Sequence, residues 1–480
     1  MLRYIRPLFV LCSAALILLT LARINIAWRN DAYLHHASGI WIALADDLNH
    51  GVFYRPLVGP LGYGGTRYFP LHFVLHAGLL KLGVEPRLAG HLITLVAMGA
   101  LLGAIFFLLR GLGADRLNAG CFASLVLVSQ SAQIGLTSIR ADILPCALNL
   151  WGVATCMRRT FGRRHLLGAA LLFTLAFSAK LTTVFGVAAV TLSFLLSSRT
   201  KQAFQVAGVS AIGFLVVLAT MHMASSGRVV DILHASAVAG GGLKNLLFGP
   251  LHLALTALEE DPGSVAFIVL GFAALVVLPS HERREIPPLF LVLTAAVIVG
   301  IYGSPGTTAN HLLDLDVASL LVLASALTRG EKPGFGLSAA LLAGILAMAP
   351  LAWRLRHQDR FPRRQGFAEA LRLIGDSRQP ILAENPLLPI LAGQRAYLLD
   401  PFMFRAIKER DPSFAEPLRE KIRNHGFSAV VLELDPDSDY GRSWYRESHF
   451  GEDIVRLIQS NYRLAGKSEA AFVYLPRETP

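Results

Sequence analysis

The sequence predicts a polytopic α-helical membrane protein with about eleven transmembrane helices, followed by a C-terminal extracytoplasmic α/β domain. Of the 480 residues, 54% are hydrophobic and only 16% are charged, where a soluble chain carries about 25% charged residues. The apolar residues gather in runs close to the roughly 20 that a helix rising about 1.5 Å per residue needs to cross a hydrocarbon core. Beyond Arg354 charge becomes frequent and no further run of that length occurs.

The first run, Pro7 to Ala27, follows Met1-Leu2-Arg3-Tyr4-Ile5-Arg6. The positive-inside rule therefore places the N-terminus in the cytoplasm. No small-residue cleavage site precedes Arg23, so this is a retained span and not a removed signal peptide. Further spans are expected at Leu88 to Arg110, Leu117 to Ile134, Ile143 to Met157, Leu166 to Ala179, Leu181 to Leu196, Phe204 to Met223, Gly263 to Leu278, Pro288 to Tyr302, Leu312 to Leu327 and Leu337 to Trp353. The run Phe69 to Leu82 is about 14 residues long and is interrupted by His72 and His76. If it crossed, Arg158-Arg159, Arg163-Arg164, Arg199 with Lys201, Arg283-Arg284, and Arg329 with Lys332 would all lie outside. Lying along the interface, it puts every one of them inside.

Residues 28–87 are thus one large external loop of a transmembrane domain spanning 1–353, and an odd span count leaves 354–480 outside. In that last region Pro380 to Glu384, Ala396 to Asp400 and Ser428 to Glu433 read as short strands, with helices near Ala368 to Ile374 and Pro417 to Asn424. The net charge of +11 sits in short loops between apolar runs, which reflects topology and not nucleic-acid binding. Cys12, Cys121, Cys146 and Cys156 lie within apolar segments without CxxC spacing, as incidental or structural thiols do.

Charge at membrane level is the sharpest chemical signal, because a Lys or Asp at a helix centre costs roughly 2.5–3.5 kcal/mol. Lys180 splits one apolar stretch of about 30 residues into two short helices, and the hairpin tip must then lie near the outer face. It reads either as a phosphate ligand or as a lysine snorkelling from a loop. Asp31, directly after the first span, is a candidate general base or an N-cap. Arg140-Ala141-Asp142 brings a second carboxylate to the same side, as a catalytic group or a local ion pair. Arg67-Tyr68-Phe69-Pro70 offers a guanidinium and a phenol for a phosphate, or an interfacial anchor. His35, Asn310, His311 and Asp314 face the same side as further substrate-site candidates, whereas Asp46-Asp47 reads as a solvated helix end. The histidine spacings match no metal motif, so no protein-only metal site is expected.

In order and sidedness these positions resemble the GT-C superfamily of membrane glycosyltransferases. The likeness is to the family 39-like branch that includes protein O-mannosyltransferases and the lipid A aminoarabinose transferase. The resemblance rests on Asn30-Asp31, Gly65-Thr66-Arg67-Tyr68-Phe69-Pro70-Leu71 with Leu79-Leu80-Lys81-Leu82-Gly83, Arg140-Ala141-Asp142-Ile143-Leu144, Phe177-Ser178-Ala179-Lys180-Leu181-Thr182, and Ala309-Asn310-His311-Leu312-Leu313-Asp314-Leu315. Many members of that branch carry Asp-Glu where this chain has Asn30-Asp31, and consecutive prolines where it has only Pro70. The resemblance implies an inverting transfer of a sugar from a polyprenyl-phosphate donor to a glycan, lipid or protein acceptor at the external face of a bacterial inner membrane. Asp31 and Asp142 would be the catalytic carboxylates, and Lys180, Arg67, Tyr68 and Arg140 would hold the donor phosphate. A divalent cation is left open as a cofactor, and membrane lipids are the remaining partners. The rival reading is a lipid or glycan transporter or flippase, which would place polar groups near the midplane of several helices. Their gathering at one face favours an enzyme.

Overall fold

The computed structural model describes residues 2–158, 160–239, 243–304, 306–329, 344, 348–357, 363–376 and 378–477. Helix α1 (Leu2–Asn30) carries the first apolar run. After a turn at Asp31 come α2 (His36–Asn49), a hairpin of β1 (Val58–Gly59) and β2 (Gly62–Tyr63), and α3 (Pro70–Lys81). Pro70 opens α3, where its missing N–H leaves no bond unmade. The 12 residues of α3 extend only about 18 Å, well short of a hydrocarbon core. It packs on α2 inside the loop, so the run Phe69 to Leu82 does not cross.

The remaining apolar part comprises α4 (Pro86–Gly111), α5 (Arg116–Ser124), α6 (Gln130–Thr137), α7 (Ile143–Cys156), α8 (Arg163–Ala179), α9 (Phe185–Leu196), α10 (Thr200–Ala224), α11 (Arg228–Ala239), α12 (Leu243–Glu260), α13 (Pro262–Val277), α14 (Ile286–Ile301) and α15 (Leu313–Arg329). The expected count of about eleven full spans is not confirmed by helix length. Among the described residues only Arg6–Asn30, Pro86–Gly111, Thr200–Ala224 and Ala309–Leu327 are single helical stretches long and apolar enough to cross, and α5 with α6 makes a fifth only as a pair bent by 76°. Helices α7, α9, α13 and α14 are apolar but shorter. The cause is polar punctuation: Asp142 precedes α7, Lys180 ends α8, and Asp261 caps α13. Most of the expected span Leu337 to Trp353 lies outside the described residues. Helices α11 and α12 were not expected, and α12 leaves Leu247, Leu251 and Leu258 exposed.

From α16 (Arg363–Ile374) onward the chain builds a four-stranded sheet of β3 (Ile381–Ala383), β4 (Ala429–Leu432), β5 (Tyr462–Lys467) and β6 (Phe472–Pro476) in the order β3-β4-β6-β5. Strand β3 runs parallel to β4, and the other pairs are antiparallel. Strands β3 and β4 are unbroken apolar runs buried throughout, as a sheet covered on both faces requires. The strand expected at Ala396 to Asp400 forms only one bridge, Leu398 beside Tyr63. The helix expected near Pro417 falls on Glu416–Arg423.

This C-terminal region shares its core with the large loop: Trp41, Phe69 and Phe73 pack in one cluster with Phe367, Ile381 and Val431. A buried ion cluster joins them as well. Asp47, read from sequence as solvated, takes 2.5 Å contacts from Arg55 Nε and Arg395 Nη2, with the Asp47 and Arg55 side chains 2% and 1% exposed. Arg55 also donates to the backbone oxygens of Leu61 and Ala396. Gly39 lets α2 approach, since a Cβ there would lie 2.3 Å from Asn385 Oδ1. The loop and residues 363–477 therefore form one packed unit.

The start of α2 is held the same way. The Glu433 carboxylate accepts from His36 N at 3.1 Å, His36 Nδ1 at 2.9 Å and Asn385 Nδ2 at 3.0 Å. Burial alone would raise this carboxyl, but His36 and Arg363 bring it down to about 2. Behind it, Glu384 accepts from His449 Nδ1, Trp444 Nε1, Tyr445 OH and Glu433 N at 2.6–2.7 Å. Burial and the nearby His36 push the His449 ring down, against Glu384.

Two outcomes are expected. Asp47→Asn leaves two guanidinium groups without their buried counter-charge and should destabilise the detergent-purified protein by about 3–5 kcal/mol. Asp46→Asn, at a partly exposed carboxylate, should cost far less in the same unfolding measurement. For Glu433, a folded pKa below the ordinary 4.5 means stabilisation that is complete above that value and lost as the pH falls towards 2. His449, lowered from 6.5, adds loss in the same direction. The thermal midpoint should thus drop on acidification, and Glu433→Gln should flatten the part below pH 4.5. A variant with the unaltered slope contradicts this assignment.

Candidate functional site

Helix α8 ends because Lys180 takes an extended conformation (φ −157°, ψ 117°), and a turn at 181–184 leads into α9. The Lys180 ammonium donates to Asp142 Oδ1 at 3.0 Å, the two side chains being 16% and 11% exposed. Lys180 is thus ion-paired inside the protein and does not snorkel. Asp142 turns to Lys180 and not to Arg140, whose Nη2 instead meets His35 Nε2 at 3.2 Å. Asp314, in the first turn of α15, is buried within electrostatic reach of Lys180 and Asp142, and it bonds the Cys146 thiol. Cys146 is therefore part of this group and not incidental.

His311 lies within electrostatic reach of Lys180, Asp142, Arg67 and Arg140, with its Nδ1 buried and, among the described residues, without a hydrogen-bond partner. The Arg67 guanidinium stands 4.4 Å over the Phe402 ring. Tyr68 stacks on Trp41 with centroids 4.3 Å apart, and burial pushes its phenol up to about 12. Asn310 is buried and accepts from Thr308 Oγ1 at 2.5 Å. The structure therefore brings Arg67, Tyr68, Arg140, Asp142, Lys180, His311 and Asp314 into one group, with His35 joined through Arg140.

Asp31 stands apart. It is 1% exposed, in the left-handed region at φ 52°, and tied to Arg87 Nη1 at 2.7 Å and to Arg364 Nε and Nη2 at 3.0 and 3.1 Å. Among the described residues it shares no hydrogen bond or ion pair with Asp142 or Lys180. Nor does it cap α2: His35 does, Nδ1 accepting from Ala37 N at 3.4 Å. Burial first, and Arg140 next, push the His35 ring well below its usual 6.5.

Several polar groups escaped the sequence reading. Arg87 and Arg364, the partners of Asp31, were not singled out in the sequence. Arg23, fully buried in α1, donates to Tyr33 OH at 2.8 Å and to Gln133 Oε1 at 3.3 Å. Asp261 accepts from Ser131 N and Oγ, and Ser264 Oγ donates to Asp316 at 2.7 Å. A buried Arg within the first apolar run was the one available signal. Among the described residues no three His, Cys, Asp or Glu side chains are placed to hold a metal ion.

No protein-family profile matches the chain, and no curated protein matches its sequence. Solved structures do match. ArnT from Cupriavidus metallidurans, bound to undecaprenyl phosphate, aligns with a TM-score of 0.58 at 10% identity over 96% of this chain and 98% of that one. The apo oligosaccharyltransferase of Archaeoglobus fulgidus aligns with a TM-score of 0.59 at 12% identity, covering 97% and 74%. The Archaeoglobus fulgidus enzyme AglB, in complex with an inhibitory peptide and a dolichol-phosphate, gives 0.56 at 13%, again over 97% and 74%. Such low identities speak to architecture alone. With apolar helices, a large loop and a C-terminal region packed on it, this chain has the GT-C fold that its motifs resemble.

Proposed function

We propose that the protein is an integral membrane glycosyltransferase that takes a sugar from a polyprenyl-phosphate carrier and transfers it, with inversion, to an acceptor. The reaction takes place on the side of the large loop, the extracytoplasmic face of a bacterial inner membrane. The observation that carries this is the Lys180–Asp142 pair set among Arg67, Arg140 and Asp314 at the loop-side ends of α7, α8 and α15. Cations and carboxylates grouped in this way suit a lipid phosphate. The fold neighbours support it, since one was solved with undecaprenyl phosphate and another with dolichol-phosphate.

In this reading Lys180, Arg67, Arg140 and the Tyr68 phenol hold the donor phosphate. The acceptor hydroxyl attacks the anomeric carbon, its proton passes to a carboxylate, and the bond from that carbon to the phosphate oxygen breaks with the electron pair going to phosphate. The cations stabilise that leaving charge. Asp31 is the base and Asp142 the supporting carboxylate. Asp31 is closed by Arg87 and Arg364 in the present arrangement, so its use as a base requires Arg364, whose side chain is 51% exposed, to swing away.

Proteoliposomes supplied with a labelled polyprenyl-phosphate sugar and envelope lipids test this. Asp31→Asn should lower transfer by about 10²-fold or more while donor binding persists. Lys180→Ala should instead weaken donor capture, because a phosphate loses a fixed cation. Normal turnover by Asp31→Asn shifts the base to Asp142. An unaltered protein that transfers from no such donor overturns the function.

A further inference from the structure

Two guanidinium groups close to His35 have buried N–H groups without acceptors. Arg140 Nε and Arg363 Nη1 are both buried and, among the described residues, have no hydrogen-bond partner. The approach of Arg363 Nη1 to Glu433 Oε1 is 3.6 Å, beyond hydrogen-bond reach. His35 lies within electrostatic reach of both arginines, and its own contacts conflict. Arg140 Nη2 faces its Nε2 at 3.2 Å and Ala37 N faces its Nδ1 at 3.4 Å, both as donors. A neutral imidazole has one acceptor nitrogen, so one of these donors is unmet as well. Each buried unmet donor costs about 1–3 kcal/mol, and three around one ring are conserved energy only if something supplies acceptors. Glu433, which accepts from His36 and Asn385, does not reach Arg363 Nη1 at 3.6 Å.

A ligand that satisfies two guanidinium forks is an oxyanion, because its several oxygens accept from both and its charge balances theirs. We propose that Arg140, His35 and Arg363 form a second oxyanion site, which shares Arg140 with the donor site at Lys180 and takes a phosphate or carboxylate group carried by the acceptor. Arg140 stands between the two sites, within reach of both Asp142 and His35. Arg363 comes from α16, in the C-terminal region. The assignment to the acceptor rests on the glycosyl-transfer reading; the binding of an oxyanion does not.

The test uses the full chain in lipid nanodiscs with two probes, inorganic phosphate and undecaprenyl phosphate. Inorganic phosphate should raise the thermal midpoint of the unaltered protein, also when undecaprenyl phosphate is already bound. Arg363→Gln should weaken the phosphate response about tenfold or more and leave undecaprenyl phosphate affinity unchanged, and Lys180→Gln should do the reverse. Glu433→Gln removes the carboxylate nearest Arg363 and should tighten inorganic phosphate, a gain that a damaged fold does not produce. No phosphate response in the unaltered protein overturns the site. So does weaker phosphate binding by Glu433→Gln. Parallel loss of both probes in Arg363→Gln means a single donor site and overturns the separation. A protein that responds to phosphate and not to undecaprenyl phosphate refutes the glycosyl-transfer reading, and with it the acceptor assignment, while the oxyanion site stands.

Discussion

Lys180 and Asp142 neutralise each other 3.0 Å apart at the loop-side ends of the apolar helices, and much of the architecture follows from keeping that pair where it is. An unpaired ammonium there would face a desolvation cost of several kcal/mol. The chain meets the requirement by ending α8 at Lys180, starting α7 at Asp142, and bringing the first turn of α15 alongside with Asp314. Short apolar helices are the consequence. A helix that must stop where a charge is held cannot also run the full depth of the bilayer.

Asp31 illustrates the same constraint with the opposite emphasis. Its carboxylate is fully enclosed, and two guanidinium groups supply the compensation, one from the start of α4 and one from α16. The left-handed backbone at Asp31 is uncommon for a residue with a side chain, and it turns the carboxylate from the end of α1 towards those arginines. The two carboxylates thus differ in company: Asp142 is paired with a lysine, a point charge, and Asp31 is gripped by a fork. Any catalytic use of Asp31 has to break bidentate hydrogen bonds, whereas Asp142 needs only a change of partner by Lys180.

The helical membrane character and the gathering of Arg67, Tyr68, Arg140, Asp142, Lys180, His311 and Asp314 were legible because each depends on local signals. Run length, basic-loop asymmetry and charge within apolar sequence all report on a residue's immediate surroundings. The pairings were not legible. Whether Arg140 meets Asp142 two residues away or His35 about a hundred residues away is decided by the docking of α2, which no local pattern encodes. Asp47 was misread for the same reason: beside Asp46 at a helix end it looks solvated, and only the distant Arg395 shows that it is buried. Hydropathy marks where apolar residues lie and not how long the helix through them is, as the break between α5 and α6 within the run Leu117 to Ile134 shows.

The C-terminal region does more than cover the loop. Adjacent residues at the start of α16 point to different carboxylates, Arg363 towards Glu433 and Arg364 to Asp31. Helix α16 is itself fixed on β5 and β6 and touches α1. Any displacement of its first turn therefore loosens Asp31 and alters the surroundings of His35 together, since a rigid helix end cannot move one arginine and leave its neighbour. Contacts made by an anion at Arg363 and contacts released by Arg364 at Asp31 share one mechanical element, and a shared element that both sites bias is the physical basis of coupling between them.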